Sequence, residues 1–322
     1  MSKRVSPADL TKVRTLPLSA RKNKVSVSDF AQKVDPEASV ASFLDGLSGV
    51  LGAKVLRDLS ASIVDARRRD RPVYWAMGAH VVKVGLSPVL IQLMERGIVT
   101  GLVMNGAGAI HDWEIAAIGA TSEDVAEGLH QGRFGMAEET GRELNEAAGE
   151  AAARGEGLGE ALGRRIVEAD LPHRSLSLLA RATELGIPAT VHVAIGSDIV
   201  HQHPRADGAA IGASTFTDFL RLVTMVSMLS GGVWINCGSA VQLPEVFLKA
   251  LSTAVNLGHE VSGFATANLD MIRHYRTEEN VLHRPTMGKG RAFALTGHHE
   301  IHVPLLAAMI LAETARRPRG NG

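Results

Sequence analysis

The chain reads as a doubly wound α/β protein on a mostly parallel sheet, and three observations predict it. From residue 72 onward, short apolar runs alternate with helix-length amphipathic segments. Unbroken apolar runs of that kind mark strands buried on both faces, and their alternation with helices implies right-handed βα crossovers. The runs end in small or polar residues: Gly78, Asn105-Gly106-Ala107-Gly108, Gly196-Ser197-Asp198, Cys237-Gly238-Ser239 and Ala265-Thr266-Ala267-Asn268. The third observation is the 33 glycines beside only 4% aromatic residues.

Taken in order, residues 1–27 form a basic arm. Lys3, Arg4, Lys12, Arg14, Arg21, Lys22 and Lys24 face a single acid, Asp9, and Pro7 and Pro17 break any regular element. Such an arm is a surface extension or a segment that crosses onto a partner subunit or over a site. Residues 28–69 carry helical spacing, with Ala31, Val34, Phe43, Leu47, Val50, Leu51 and Val55 on one side. Strands are expected at 73–78, 98–104, 187–193, 232–236, 260–264 and 291–295, and helices at 87–96, 215–229, 243–257 and 302–316. Between 121 and 185 lies a helical insertion with helices at 133–153 and 158–168. Residues 28–316 then make one domain, and 317–322 a disordered tail.

Several functional classes recede on composition. Lys+Arg and Asp+Glu both number 34, which leaves none of the basic excess that nucleic acid or an anionic membrane favours. The single cysteine, Cys237, excludes an internal disulfide and a Cys-rich zinc site and fits a reducing cytoplasm. Residues 1–24 hold no apolar signal segment, and no apolar run approaches membrane-spanning length. With 45% apolar residues there is ample material for a core.

In an open parallel sheet, ligands bind outside the carboxyl ends of the strands, at the switch in strand order. Glycine there lets backbone approach a ligand closely, and helix N-termini offer N–H groups to pyrophosphate. Gly106-Ala107-Gly108 supplies a G-x-G, but Ile110 and His111 follow in place of the third glycine. Gly288-Lys289-Gly290 lacks Walker spacing, and no G-x-S-x-G occurs. His298, His299, Glu300 and His302 crowd together, yet the order is not H-E-x-x-H, and no metal is expected. A histidine could instead cap a strand end or serve as general base for an amine. Lys289 is one of nine lysines against 25 arginines. It reads as an exposed loop residue, an anion binder or a desolvated, imine-forming amine.

The run 77–87, MGAHVVKVGLS, followed by VMNGAG at 103–108, resembles the first cofactor-binding segment of deoxyhypusine synthase. Later blocks keep that family's order: 175–200, then SGGVWINCGSAVQLPEVFLKA at 230–250, GFATAN at 263–268, and GKGRAFALTGHHEIHVPLLAAMI at 288–310. The similarity covers residues 71–315. It implies a Rossmann-like domain in a homotetramer, with NAD sites at a dimer interface. It also implies a reaction in which NAD oxidises an amine to an imine held on a lysine, from which the alkylamine group is transferred. The matching positions imply NAD contacts at Gly78, Asn105, Gly106, Ala107, Gly108, Cys237, Gly238, Ser239, Thr266, Ala267 and His298. They place Asp198 near the amine, His111 or Asp112 as the acid after the first glycine turn, and Lys289 as the imine-forming lysine.

The chain departs from the family at the substrate end. Cys237-Gly238-Ser239 replaces a glycine triplet, the family's catalytic histidine falls near Leu243 or Pro244, and Met287 replaces a tryptophan. Arg273-His274-Tyr275-Arg276 replaces an acidic stretch, and His298 an aspartate. A polyamine needs carboxylates around it, so these changes point to a less cationic amine, such as an amino acid. The expectation is an NAD-dependent, cytoplasmic enzyme acting on a small amine or amino acid. Its rival is an NAD-binding sensor or scaffold without turnover, and a metal-dependent hydrolase using His298 and His302 ranks behind both.

Overall fold

Six parallel strands form one sheet in the order β3-β2-β1-β4-β5-β6. The structure is a computed structural model that describes residues 5–316, so the tail expected at 317–322 lies outside the described residues. The strands are β1 (Val73–Met77), β2 (Gly101–Asn105), β3 (Ala189–His192), β4 (Val233–Cys237), β5 (Ala265–Asp270) and β6 (Arg291–Thr296). Along β1, Val73, Trp75 and Met77 enter one core layer while Tyr74 and Ala76 enter the other. Both faces are covered, which is why the strands read as continuous apolar runs.

Helices α1 (Leu51–Arg68), α2 (Ser87–Glu95) and α3 (Gly106–Ile118) cover one face. The insertion helices α4 (Glu138–Arg154) and α5 (Leu158–Glu168) join α6 (Leu178–Leu185) beside β3. Helices α7 (Gly208–Ser227) and α8 (Gln242–Asn256) cover the opposite face, and α9 (His299–Arg316) returns to pack on α1. In the second layer Trp234 stacks on Phe247 at 4.1 Å between centroids and Phe264 meets Phe247 edge-on. By length and composition α7 alone among the described helices could cross a membrane; here it packs on α4, α8 and β3.

Several boundaries differ from expectation, among them the helix expected at 215–229, which begins at Gly208. The stretch 28–69 is not one helical unit: it holds a short helix, Val40–Asp45, and then α1, separated by residues 46–50, and Leu51 at the start of α1 takes a positive φ of 49°. The strand expected at 260–264 is β5, displaced to Ala265–Asp270, because Gly258 and Gly263 both adopt left-handed φ and turn the chain just before it. The small residues taken for a strand end are thus its body, and Thr266 lies beside Trp234 of β4 in register. The Asn105–Gly108 turn is the immediate start of α3. Residues 5–27 are exposed throughout and hold no helix longer than one turn.

Candidate functional site

Strand order reverses between β1 and β4, and the carboxyl ends of these two strands come into contact. The Gly78 amide donates to the Cys237 carbonyl (3.0 Å). A Cβ on Gly78 would collide with the Gly238 carbonyl oxygen, so glycine here admits the chain's own backbone. Gly238 has φ of 66°, and a Cβ on it would lie 2.9 Å from His299 Cε1. His299 is buried; its Nε2 lies 3.0 Å from the Leu269 carbonyl and its Nδ1 has no partner. His80 meets the His299 ring edge-on at 5.5 Å, and burial followed by His299 lowers the His80 pKa. No side chain caps the first turn of the short helix His80–Lys83. Behind this crevice, Asn236 Nδ2 donates to the Ser239 carbonyl (2.9 Å) and to Asn268 Oδ1 (2.7 Å), locking the β4 and β5 ends together. Cys237 is fully buried and burial pushes its thiol pKa far up, so it is inert wall.

A cavity of about 180 Å³ opens beside the ends of β2 and β3, bordered by Lys83, His111, Glu114, Glu123, Phe134 and Asp198. Helix α3 leaves β2 directly because Asn105 caps it, Oδ1 accepting from the Gly108 amide (2.8 Å). The Asp198 carboxylate accepts from the Ala194 amide (3.2 Å) and from the Ala107 backbone, and a Cβ on Gly106 would collide with it. Burial raises the Asp198 pKa against these hydrogen bonds. The amino end of α3 is therefore already satisfied by two side chains. His111 Nδ1 lies 2.6 Å from Thr121 Oγ1, whose hydroxyl donates to Glu114, and Thr140 Oγ1 donates to the other Glu114 oxygen (3.0 Å). Burial pushes Glu114 up, but the nearby His111 ring (3.6 Å) and the hydrogen bonds from Thr121 and Thr140 outweigh it and hold the carboxyl below its ordinary range. Glu123 accepts from the Gly135 amide (2.8 Å), whereas Lys83 is exposed and makes no hydrogen bond or ion pair among the described residues.

Gly78, Gly238 and Ser239 thus gather at the β1/β4 crevice, and His111 and Asp198 at the adjoining cavity. Other expected site residues lie elsewhere. Asp112 is fully buried and turned from the cavity: it accepts from Ser177 Oγ (2.6 Å) and the amides of Leu178 (2.7 Å) and Leu179 (3.1 Å), capping α6. One residue along a helix is about 100° of rotation, which puts His111 and Asp112 on different faces. Thr266 and Ala267 sit inside β5, fully buried, away from its carboxyl end. Lys289 is exposed in the turn before β6, at the amino edge of the parallel sheet. That is the side opposite Gly238 and Asp198. His298 is exposed beside Glu300 (3.6 Å), and among the described residues no three His, Cys, Asp or Glu side chains converge to hold a metal. Lys83, Glu114, Thr121, Glu123, His80 and His299 were not singled out for the site. Glu114, three residues after His111 on α3, had a legible signal in that spacing.

The fold defines the class first: an open, doubly wound parallel sheet whose strand order reverses at β1/β4, as in dinucleotide-binding proteins. More particularly, it is the deoxyhypusine synthase-like fold. A protein from Entamoeba histolytica assigned as a deoxyhypusine synthase superposes with a TM-score of 0.52 at 12% identity, over 88% of this chain and 96% of its own. A conserved protein of Methanococcus maripaludis S2 assigned to the LOR/SDH class gives 0.52 at 15% identity, over 86% and 73%. The ternary complex of AgrE with ornithine and NAD+ gives 0.52 at 14% identity, over 82% of this chain and 33% of AgrE. ArgZ, an arginine dihydrolase of the cyanobacterial ornithine-ammonia cycle, is matched over 33% of its length, so this chain spans about a third of both AgrE and ArgZ. No family model matches the chain, and no curated protein matches it.

Proposed function

We propose that the chain is an NAD-dependent enzyme that oxidises a small amine or amino acid, with the dinucleotide across the β1/β4 crevice and the amine in the adjoining cavity. The observation that carries the reading is this adjacency: the strand-order switch, where such sheets bind dinucleotides, borders a cavity holding three carboxylates, one lysine and one histidine. The AgrE complex with ornithine and NAD+, on the same fold, supports the choice of ligands.

The chain's residues accommodate NAD better at one place than another. At β1/β4, no side chain caps the helix that starts at His80, and His299 leaves a buried nitrogen without a partner. At Gly106–Gly108, Asn105 and Asp198 already take the amides that a pyrophosphate would need. NAD, when bound, supplies the oxidant for the amine carbon. The chain's own groups do the rest. Asp198, Glu114 and Glu123 attract the ammonium group, His111 takes its proton, and Lys83 faces an anionic group on the same molecule. Formation of an imine on Lys289, and group transfer from it, require a site on a second copy, because Lys289 lies at the other edge of the sheet.

The test is NADH formation by the purified chain with NAD and a panel of ornithine, arginine, lysine and 1,4-diaminobutane. Amine-dependent NADH is expected. Stabilisation by NAD without NADH from any of them supports the second reading, a nucleotide-binding sensor without turnover.

A further inference from the structure

We propose that Glu114 and Thr121 are positioning residues that hold His111 in one tautomer, with Nδ1 protonated and Nε2 free as the proton acceptor of the cavity. The inference rests on the reading of that cavity as the amine site, and it adds the device that makes His111 a base. It follows from hydrogen-bond direction. Thr121 has one hydroxyl proton, and that proton goes to Glu114, a carboxylate that also accepts from the Thr140 hydroxyl on its other oxygen. Thr121 Oγ1 is then left as an acceptor toward its other neighbour, His111 Nδ1 at 2.6 Å, which must carry the proton. The lone pair consequently lies on Nε2, which makes no hydrogen bond among the described residues.

Imidazole Nδ1–H, bridging hydroxyl and carboxylate thus form a directed hydrogen-bond chain that runs inward from the cavity and ends at Glu114 as acceptor. Thr140, from the insertion helix α4, anchors the far carboxylate oxygen at 3.0 Å. The orientation does more than fix a tautomer. Glu114 Oε2 lies 3.6 Å from His111 Nδ1, so an imidazolium formed when Nε2 takes a proton is stabilised by the nearby negative charge. Other charges facing His111 across the cavity are Lys83 from the short helix after β1, Glu123 from the loop after α3, and Asp198 from the loop after β3. Lys83 opposes protonation, and Glu123 and Asp198 favour it. No bond is made or broken by Glu114 or Thr121; the proton moves from the substrate ammonium to His111 Nε2.

Nitrogen-15 and carbon-13 NMR of histidine-labelled full-length protein tests this without turnover, with the His111 signal assigned by its loss in His111→Gln. The wild type is expected to show the Nδ1–H tautomer when neutral. Thr121→Ser keeps the hydroxyl and should retain it. Thr121→Val should release His111 to a tautomer mixture, and so should Glu114→Ala, which frees the Thr121 proton to turn toward Nδ1. An Nε2–H tautomer in the wild type overturns the proposal, as does an unchanged pure Nδ1–H tautomer in folded Glu114→Ala. Should Thr121→Val fail to fold, Glu114→Ala and Thr121→Ser decide it. Absence of NADH formation with ornithine would count against the cavity's function while leaving this NMR outcome to stand separately.

Discussion

The carboxylate of Asp198 lies directly against the Cα of Gly106, in the space that any side chain at residue 106 would fill. Glycine at this strand end thus serves an internal anion and not an incoming phosphate. Gly106→Ala should force Asp198 away from the Ala107 amide and cost roughly 1–3 kcal/mol, as overpacking of a buried site does. In Gly106→Ala/Asp198→Ala the clash is relieved, so the double variant should lose clearly less than the two single losses added together. Urea unfolding of the four proteins measures this; additive losses would mean the two residues do not meet.

Asp112 should behave as a structural residue. Asp112→Ala strips an acceptor from Ser177 Oγ and two backbone amides inside the core, and should destabilise by roughly 2–4 kcal/mol. NAD affinity measured on the folded fraction should be unchanged. A variant that is stable but inactive would return Asp112 to the site.

Stability should depend on pH in two opposed ways. Burial raises Asp112 to about 6 and Asp218 to about 7, so the folded chain keeps protons that the unfolded chain releases near pH ~4. Their contribution is present in acid and is lost as pH rises through about 6 and about 7. His192 works in reverse: burial lowers it to about 4, so the unfolded chain takes the proton first and stability falls as pH drops below about 6.5. Urea midpoints across this range should therefore decline less toward neutrality in Asp218→Asn, and less toward acid in His192→Gln. Slopes identical to the wild type would contradict these assignments.

Lys83 should separate amino acids from plain amines. Removing it as Lys83→Ala is expected to weaken ornithine binding about tenfold, the loss of one exposed charge-assisted contact, and to leave 1,4-diaminobutane nearly unaffected. Equal weakening of both ligands would show that Lys83 does not meet a carboxylate.

Most of the sheet was legible because strands buried on both faces leave unbroken apolar runs, as Val73–Met77 and Val233–Cys237 do. The site was legible in part. Gly78, Gly238 and Ser239 fell where strand ends were expected, but β5 begins where its end was expected, which carried Thr266 and Ala267 into the core. His111 and Asp112 could not be told apart without the phase of α3, which Asn105 fixes by capping it. Lys289 between two glycines has the composition of a ligand loop, yet parallel register puts it at the opposite edge. Thr121 approaches His111 only through the turn that ends α3 at Gly119, whose left-handed φ of 68° sequence spacing does not reveal.

Calorimetric titration of NAD into the full chain and into Ala79→Trp, which fills the lip of the β1/β4 crevice, tests the central claim most directly. Saturable binding near one site per chain is expected, weakened at least about tenfold in Ala79→Trp while the variant's melting transition stays cooperative. No binding by the wild type, or binding that Ala79→Trp leaves untouched, would contradict a dinucleotide site at this switch.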